Sequence, residues 1–166
     1  MKTYHFLLWI LMMPALGLSQ NKISVEKTAC FLNNCQAYED HPNVEFGYLN
    51  APEDYSNPDG KYIKVAFSIV KSTVENPKPD PILIFGGGWG MPELNQTLGY
   101  LNQMPIKDRD LILYDYRGSG YSSPSLCTDI GGKFWEFIKQ DHDYDSFAEQ
   151  LKPPFYECLE NLKQQG

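Results

Sequence analysis

Apolar and polar residues change their spacing several times along this chain, and each change predicts an element. Residues 6–13 (FLLWILMM) form a continuous apolar run behind the basic Lys2, giving way to PALGLSQN. A run that short does not span a bilayer, so residues 1–19 read as a secretory leader cut after Ser19 or Gln20. Residues 44–50 (VEFGYLN) and 61–72 (KYIKVAFSIVKS) predict strands, and the turn residues of APEDYSNPDG between them predict an antiparallel hairpin. The segment NPKPDP breaks the pattern, and residues 82–85 (ILIF) follow as a wholly apolar strand. Such a run suits a strand covered on both faces, as in a parallel sheet.

Residues 93–104 then predict a helix, 109–115 (RDLILYD) another buried strand, and YRGSGYSSPS a loop. The remainder is mostly helical, over 133–140 and 146–165. Ser146 with Glu149 makes a capping box, and Pro153 with Pro154 divides the last segment. The fold class is α/β: an antiparallel hairpin leading into a mostly parallel sheet with flanking helices, in one domain over residues 20–166.

Composition narrows the partners. The 166 residues are 42% apolar and 21% charged, an ordinary globular balance, with a net charge of −7. Loss of Lys2 with the leader takes that to −8. An acidic chain of pI about 4.9 argues against nucleic acid or an anionic membrane surface as partner, and no stable membrane insertion is expected once the leader is removed. Export puts the chain in a secreted or periplasmic compartment. There the four cysteines, Cys30, Cys35, Cys127 and Cys158, predict two disulfides. Of the three connectivities we take the local one, Cys30 with Cys35 and Cys127 with Cys158. Zinc is the weaker alternative, because no C-x-x-C occurs and only His41 and His142 lie outside the leader. No metal and no cofactor are expected.

The chemistry concentrates at GGGWG, where Gly86, Gly87, Gly88 and Gly90 follow the ILIF strand. A dinucleotide fingerprint fails, since the sixth position from Gly86 is Met91 and from Gly88 is Glu93. A phosphate loop fails too, since no lysine follows these glycines. Two readings remain: a tight strand-to-helix turn without chemistry, or backbone N–H groups turned toward one point, as a developing oxyanion requires. The carboxyl end of a strand is where open α/β sheets place ligands.

ILIFGGGWG resembles the strand and HGGPG-type loop of the α/β-hydrolase fold, in its prolyl and tripeptidyl aminopeptidase branch. RDLILYDYRGSGYSSPSLC resembles the D-x-R-G-x-G-x-S segment of that branch through Asp115, Arg117, Gly118, Gly120 and Ser122. LNAPEDYSNPDGKYIKVAFSIVKS resembles its opening hairpin through Pro52, Asp54, Tyr55 and Pro58, with Ala51 in place of the usual valine. The resemblance implies an exported serine hydrolase, an aminopeptidase acting on a peptide or small acyl substrate. Gly87, Gly88, Trp89 and Gly90 would stand on G-G-P-G as the oxyanion loop, with Gly86 where a histidine often stands and Trp89 replacing proline. The oxyanion donor would be Gly88 or Trp89.

The rest of the machinery is not in these residues. Only Ser19 and Ser122 have glycine two positions before, and neither has glycine two positions after, so no G-x-S-x-G elbow occurs. In the family order, nucleophile, acid and histidine would all follow Gly166. The chain thus reads as an N-terminal portion, inactive alone, and His142 cannot take the histidine's role. Asp115 and Arg117, with Gly118 and Gly120, read as an ion pair or a turn lock. Asp141, Asp143 and Asp145 alternate as in a calcium loop, but Ser146 and Lys152 stand where glycine and glutamate are needed. An esterase or lipase-like hydrolase on the same fold is the alternative within enzymes. A secreted homologue without catalysis is the alternative outside them.

Overall fold

The computed structural model describes residues 23–87, 91–105, 107–140 and 143–165. Five strands form one sheet: β1 (Ser24–Thr28), β2 (Val44–Pro52), β3 (Tyr62–Val70), β4 (Ile82–Ile84) and β5 (Leu111–Tyr114), in spatial order β1-β2-β3-β5-β4. The hairpin of β2 and β3 pairs Val44 with Val70 through to Pro52 with Tyr62. β1 with β2 and β3 with β5 are also antiparallel, and β4 with β5 is the single parallel pairing described. The sheet is therefore mixed, as a hairpin followed by strand, helix and strand predicts, and only its expected mostly parallel part is corrected, to one parallel pairing among the described strands. Among the described strands only the step from β4 to β5 carries the helical crossover that parallel neighbours need. That crossover is a 3₁₀ turn, Glu93–Gln96, running into α1 (Thr97–Gln103).

β1 was not legible beforehand, because SVEKT carries no burial pattern. It is an edge strand held by its ladder to β2 and by ion pairs, Lys27 with Glu45 at 2.9 Å and Lys64 with Glu26 at 2.8 Å.

The two faces of the sheet differ. On one, Phe46, Ala66, Val70, Leu111 and Leu113 pack with Leu94 and Leu101 from the crossover and with Leu32 and Tyr38 from the β1–β2 connection. Ser68 joins this face through a buried bond: it donates to the Thr97 hydroxyl at 2.8 Å, which in turn donates to Leu94 O. This ties α1 to β3. The other face sets Leu49 against Val65, Phe67 against Tyr114, and Ile69 and Leu83 beside Ile112. These side chains line an open apolar trough of about 820 Å³. The expectation that ILIF is covered on both sides is thus corrected: Ile84 is buried, but Leu83 is 45% exposed and Phe85 65% exposed. An apolar run states that both faces favour cover, and the described helices supply it on one.

Beyond β5 the chain forms α2 (Thr128–Ile138) and α3 (Tyr144–Gln165). α2 begins five residues earlier than expected, running through Gly131 and Gly132 from the tethered Cys127. α3 is capped by Asp143, whose carboxylate accepts the Ser146 N–H at 3.0 Å, so Asp143 and not Ser146 is the N-cap. Pro153 and Pro154 lie inside α3 without dividing it. Each removes a ladder N–H, yet the second half is held against α2 by Cys158 and by Glu157 with Lys133. Both disulfides follow the local connectivity, Cys30–Cys35 and Cys127–Cys158. No described helix is long and apolar enough to cross a membrane.

Candidate functional site

Because β4 and β5 run parallel in adjacent positions, their carboxyl ends open on the same edge of the sheet. Phe85, Gly86 and Gly87 leave β4 there; Asp115 and Tyr116 leave β5. Gly88, Trp89 and Gly90 lie outside the described residues, as do Asp141 and His142.

Gly86 sits against the Glu93 side chain. A Cβ at this position would run into the carboxylate of Glu93, which is itself only 8% exposed. The carbonyl of Gly86 accepts the Tyr116 hydroxyl at 3.0 Å. At Gly87 a Cβ would meet nothing within 4 Å, so packing does not demand glycine there. Its backbone is exposed at the sheet edge.

Asp115 fixes the other end of the loop. Its side chain is fully buried, and its carboxylate accepts the N–H of Leu94 at 3.0 Å and of Tyr121 at 2.8 Å. Burial pushes its carboxyl above the usual carboxylate range, against the N–H groups of Tyr121, Leu94 and Glu93, which favour the charged form. No cation reaches it among the described residues. Arg117 turns away, donating to Glu53 O at 3.2 Å and stacking 5.1 Å from the Tyr55 ring centroid. Among the described residues Arg117 makes no ion pair with Asp115, which accepts backbone N–H groups instead.

The turn itself is built by the glycines. Gly118 and Gly120 have φ of 78° and 53°, a region that costs other L-residues energy, and a Cβ on Gly120 would strike the Asp115 carboxylate. Ser122, 3% exposed, donates its hydroxyl to Asp115 O and accepts Ala66 N–H, both at 3.0 Å. It stitches the turn to β3, so its proton is committed to structure. The loop continues from Gly118, whose carbonyl accepts Leu126 N–H at 2.8 Å, to Cys127. One disulfide, Cys30–Cys35, lies within the β1–β2 connection, and the other, Cys127–Cys158, ties the start of α2 to α3.

The structure thus joins Gly86, Gly87, Asp115, Gly118 and Gly120 at one edge and sends Arg117 elsewhere. Two residues of this edge were missed. Tyr116 carried one signal, a hydroxyl immediately after Asp115 at a strand end. Glu93 carried none, because burial of a carboxylate leaves no mark in a sequence.

No family model matches the chain. Two curated proteins are similar to part of it. Tripeptidyl aminopeptidase of Streptomyces lividans is 30% identical over 102 residues, covering 58% of this chain and 18% of the relative. The tripeptidyl aminopeptidase of Streptomyces coelicolor is 28% identical over 102 residues with the same coverage. The likeness is to a peptidase. The chain spans under a fifth of the length of these relatives, 18% of each.

Proposed function

We propose that this chain is the N-terminal portion of an exported serine aminopeptidase on the α/β-hydrolase fold, cleaving peptide bonds near substrate N-termini. The observation that carries the reading is the glycine loop at the carboxyl edge of β4 and β5, pinned at both described ends, in a chain similar to tripeptidyl aminopeptidases. A serine beyond Gly166 attacks the acyl carbonyl, passing its proton to a histidine. The oxyanion takes one N–H from loop 87–90 and one from the residue after the serine. The tetrahedral intermediate then collapses to an acyl-enzyme, releasing the new N-terminus of the shortened peptide, and water repeats the sequence. One such N–H stabilises the transition state by about 3 kcal/mol.

Two further observations support the reading. The apolar trough over β3, β5 and β4 suits additional packed chain, which a complete hydrolase sheet needs. Two disulfides suit export.

The test is labelling of the full-length gene product by a serine-directed phosphonate. The expected result is a single label on a serine in G-x-S-x-G, and none on the 166-residue chain alone. Absence of label from the full-length product, or label confined to residues 20–166, overturns the proposal.

A further inference from the structure

The peptide between Gly86 and Gly87 is a planar trans unit, so its carbonyl and its N–H point in opposite directions. Fixing one aims the other. The Tyr116 hydroxyl holds the Gly86 carbonyl at 3.0 Å. The Tyr116 ring is itself set by an edge contact with Tyr114, whose centroid is 5.5 Å away, and Tyr114 packs against Phe85 at 5.9 Å. Among the described residues the Gly87 N–H meets no acceptor, and the space beside its Cα is open. On the opposite side, Asp115 holds Leu94 N–H, and Glu93 fills the volume behind Gly86. Neighbouring residues at a strand end project to opposite faces, so Asp115 and Tyr116 grip the loop from its two sides.

We propose that Tyr116 is a positioning residue: by donating to the Gly86 carbonyl, its hydroxyl aims at the oxyanion the Gly87 N–H, which lies one residue before Gly88 and two before Trp89, the alternative donors that the resemblance implies. This rests on the hydrolase reading above. The same bond also polarises the peptide, which makes its N–H a stronger donor. Tyr116 touches neither substrate nor nucleophile in this scheme and acts only through the peptide plane. None of the motifs read from the sequence requires a hydroxyl at this position.

The experiment compares Tyr116→Phe with Tyr62→Phe in the full-length gene product. Tyr62 makes the same kind of bond, hydroxyl to the Pro58 carbonyl at 3.0 Å, within the β2–β3 connection, and so controls for loss of a tyrosine hydroxyl. Four quantities are read on each: kcat and KM for a free-amino tripeptidyl anilide, inhibition by a tripeptide aldehyde, inhibition by the product tripeptide, and the thermal midpoint. The aldehyde forms an oxyanion on the serine, and the product tripeptide does not.

Expected for Tyr116→Phe is a fall in kcat on the order of 10-fold, smaller than the loss of a whole oxyanion donor. KM and product inhibition stay within about twofold, since ground-state binding is untouched. Aldehyde affinity falls with kcat, the thermal midpoint holds, and Tyr62→Phe changes none of these. Unchanged kcat and aldehyde affinity in Tyr116→Phe overturn the inference while leaving the hydrolase reading in place. Equal losses in both variants, accompanied by a lower thermal midpoint, overturn it as well, because the hydroxyl would then act through stability. A wild-type product without turnover overturns the hydrolase reading and this inference together.

Discussion

The sheet and the tail of this protein are held by different physics. In the sheet and its crossover, Leu113, Ala66 and Leu94 are fully buried, and the side chains of Ser68, Thr97, Asp115 and Ser122 buried beside them find partners, while the hydroxyls of Thr28 and Tyr38 do not. In the tail, no described residue of α2 or α3 is buried, and Trp135, Phe155 and Tyr156 stand more than half exposed. What holds the tail is the Cys127–Cys158 link, closed over 31 residues, with surface ion pairs such as Lys133 with Glu157 at 3.5 Å. Gly86, the first glycine of the loop, is held by the first regime through the Tyr116 hydroxyl on its carbonyl. A catalytic backbone amide must be pre-aimed, and only a packed edge with satisfied buried polar groups can hold one still.

The largest test of that contrast is Leu113→Ala, which should cost about 4 kcal/mol in chemical denaturation, because its neighbours in the closed core cannot collapse into the space. A loss below about 1 kcal/mol would mean that the body is packed as loosely as the tail. Asp115→Ala should cost about 3 kcal/mol, since it leaves buried N–H groups of Leu94 and Tyr121 without an acceptor. Its signature is loss of hydrogen-exchange protection at those two amides, and retained protection would contradict the lock. Replacing Cys127 and Cys158 by serine should do the reverse. Amides of α2 and α3 lose protection, while the sheet's unfolding midpoint moves by less than about 1 kcal/mol. A shift as large as that of Leu113→Ala would make the tail part of the body.

The smallest effect is electrostatic and compares the two ends of β5. Asp110, before the strand, accepts Ser72 N–H and pairs with Lys71 at 2.9 Å, and these hold its carboxyl below the ordinary range. Its folded value lies below the unfolded one, so its contribution is present above the ordinary carboxylate pKa and is lost as pH falls through the folded value. Asp115 has the opposite sign: burial raises its folded value, so the cost of its charge is relieved as pH falls through it. Wild-type protein should therefore lose its stability margin over Asp110→Asn as pH drops below about 4. A margin independent of pH would remove the ion-paired end from the account.

How much of this was legible depends on what kind of force makes each element. β2, β3, β4 and β5 announce themselves because burial imposes a pattern on their residues. The glycines at 86, 118 and 120 announce a backbone need, although only the structure tells crowding by Glu93 at Gly86 from positive φ at Gly118 and Gly120. β1 is silent because an exposed edge strand is specified by its neighbour's ladder. α3 was misread at Pro153 and Pro154 because local propensity argues for a break, and the tether at Cys158 overrides it. Tyr116 was missed because its role lies in one hydroxyl meeting one carbonyl 30 positions away in the chain.

The central claim, that this loop serves an aminopeptidase, is tested most directly by one pair of substrates. The full-length gene product is given a tripeptidyl anilide with a free amino terminus and the same anilide acetylated. Turnover of the free form is expected, with the blocked form slower by on the order of 100-fold or more, the scale expected when a site built to bind an ammonium loses it. Equal turnover of both, or hydrolysis of simple esters alone, would contradict it.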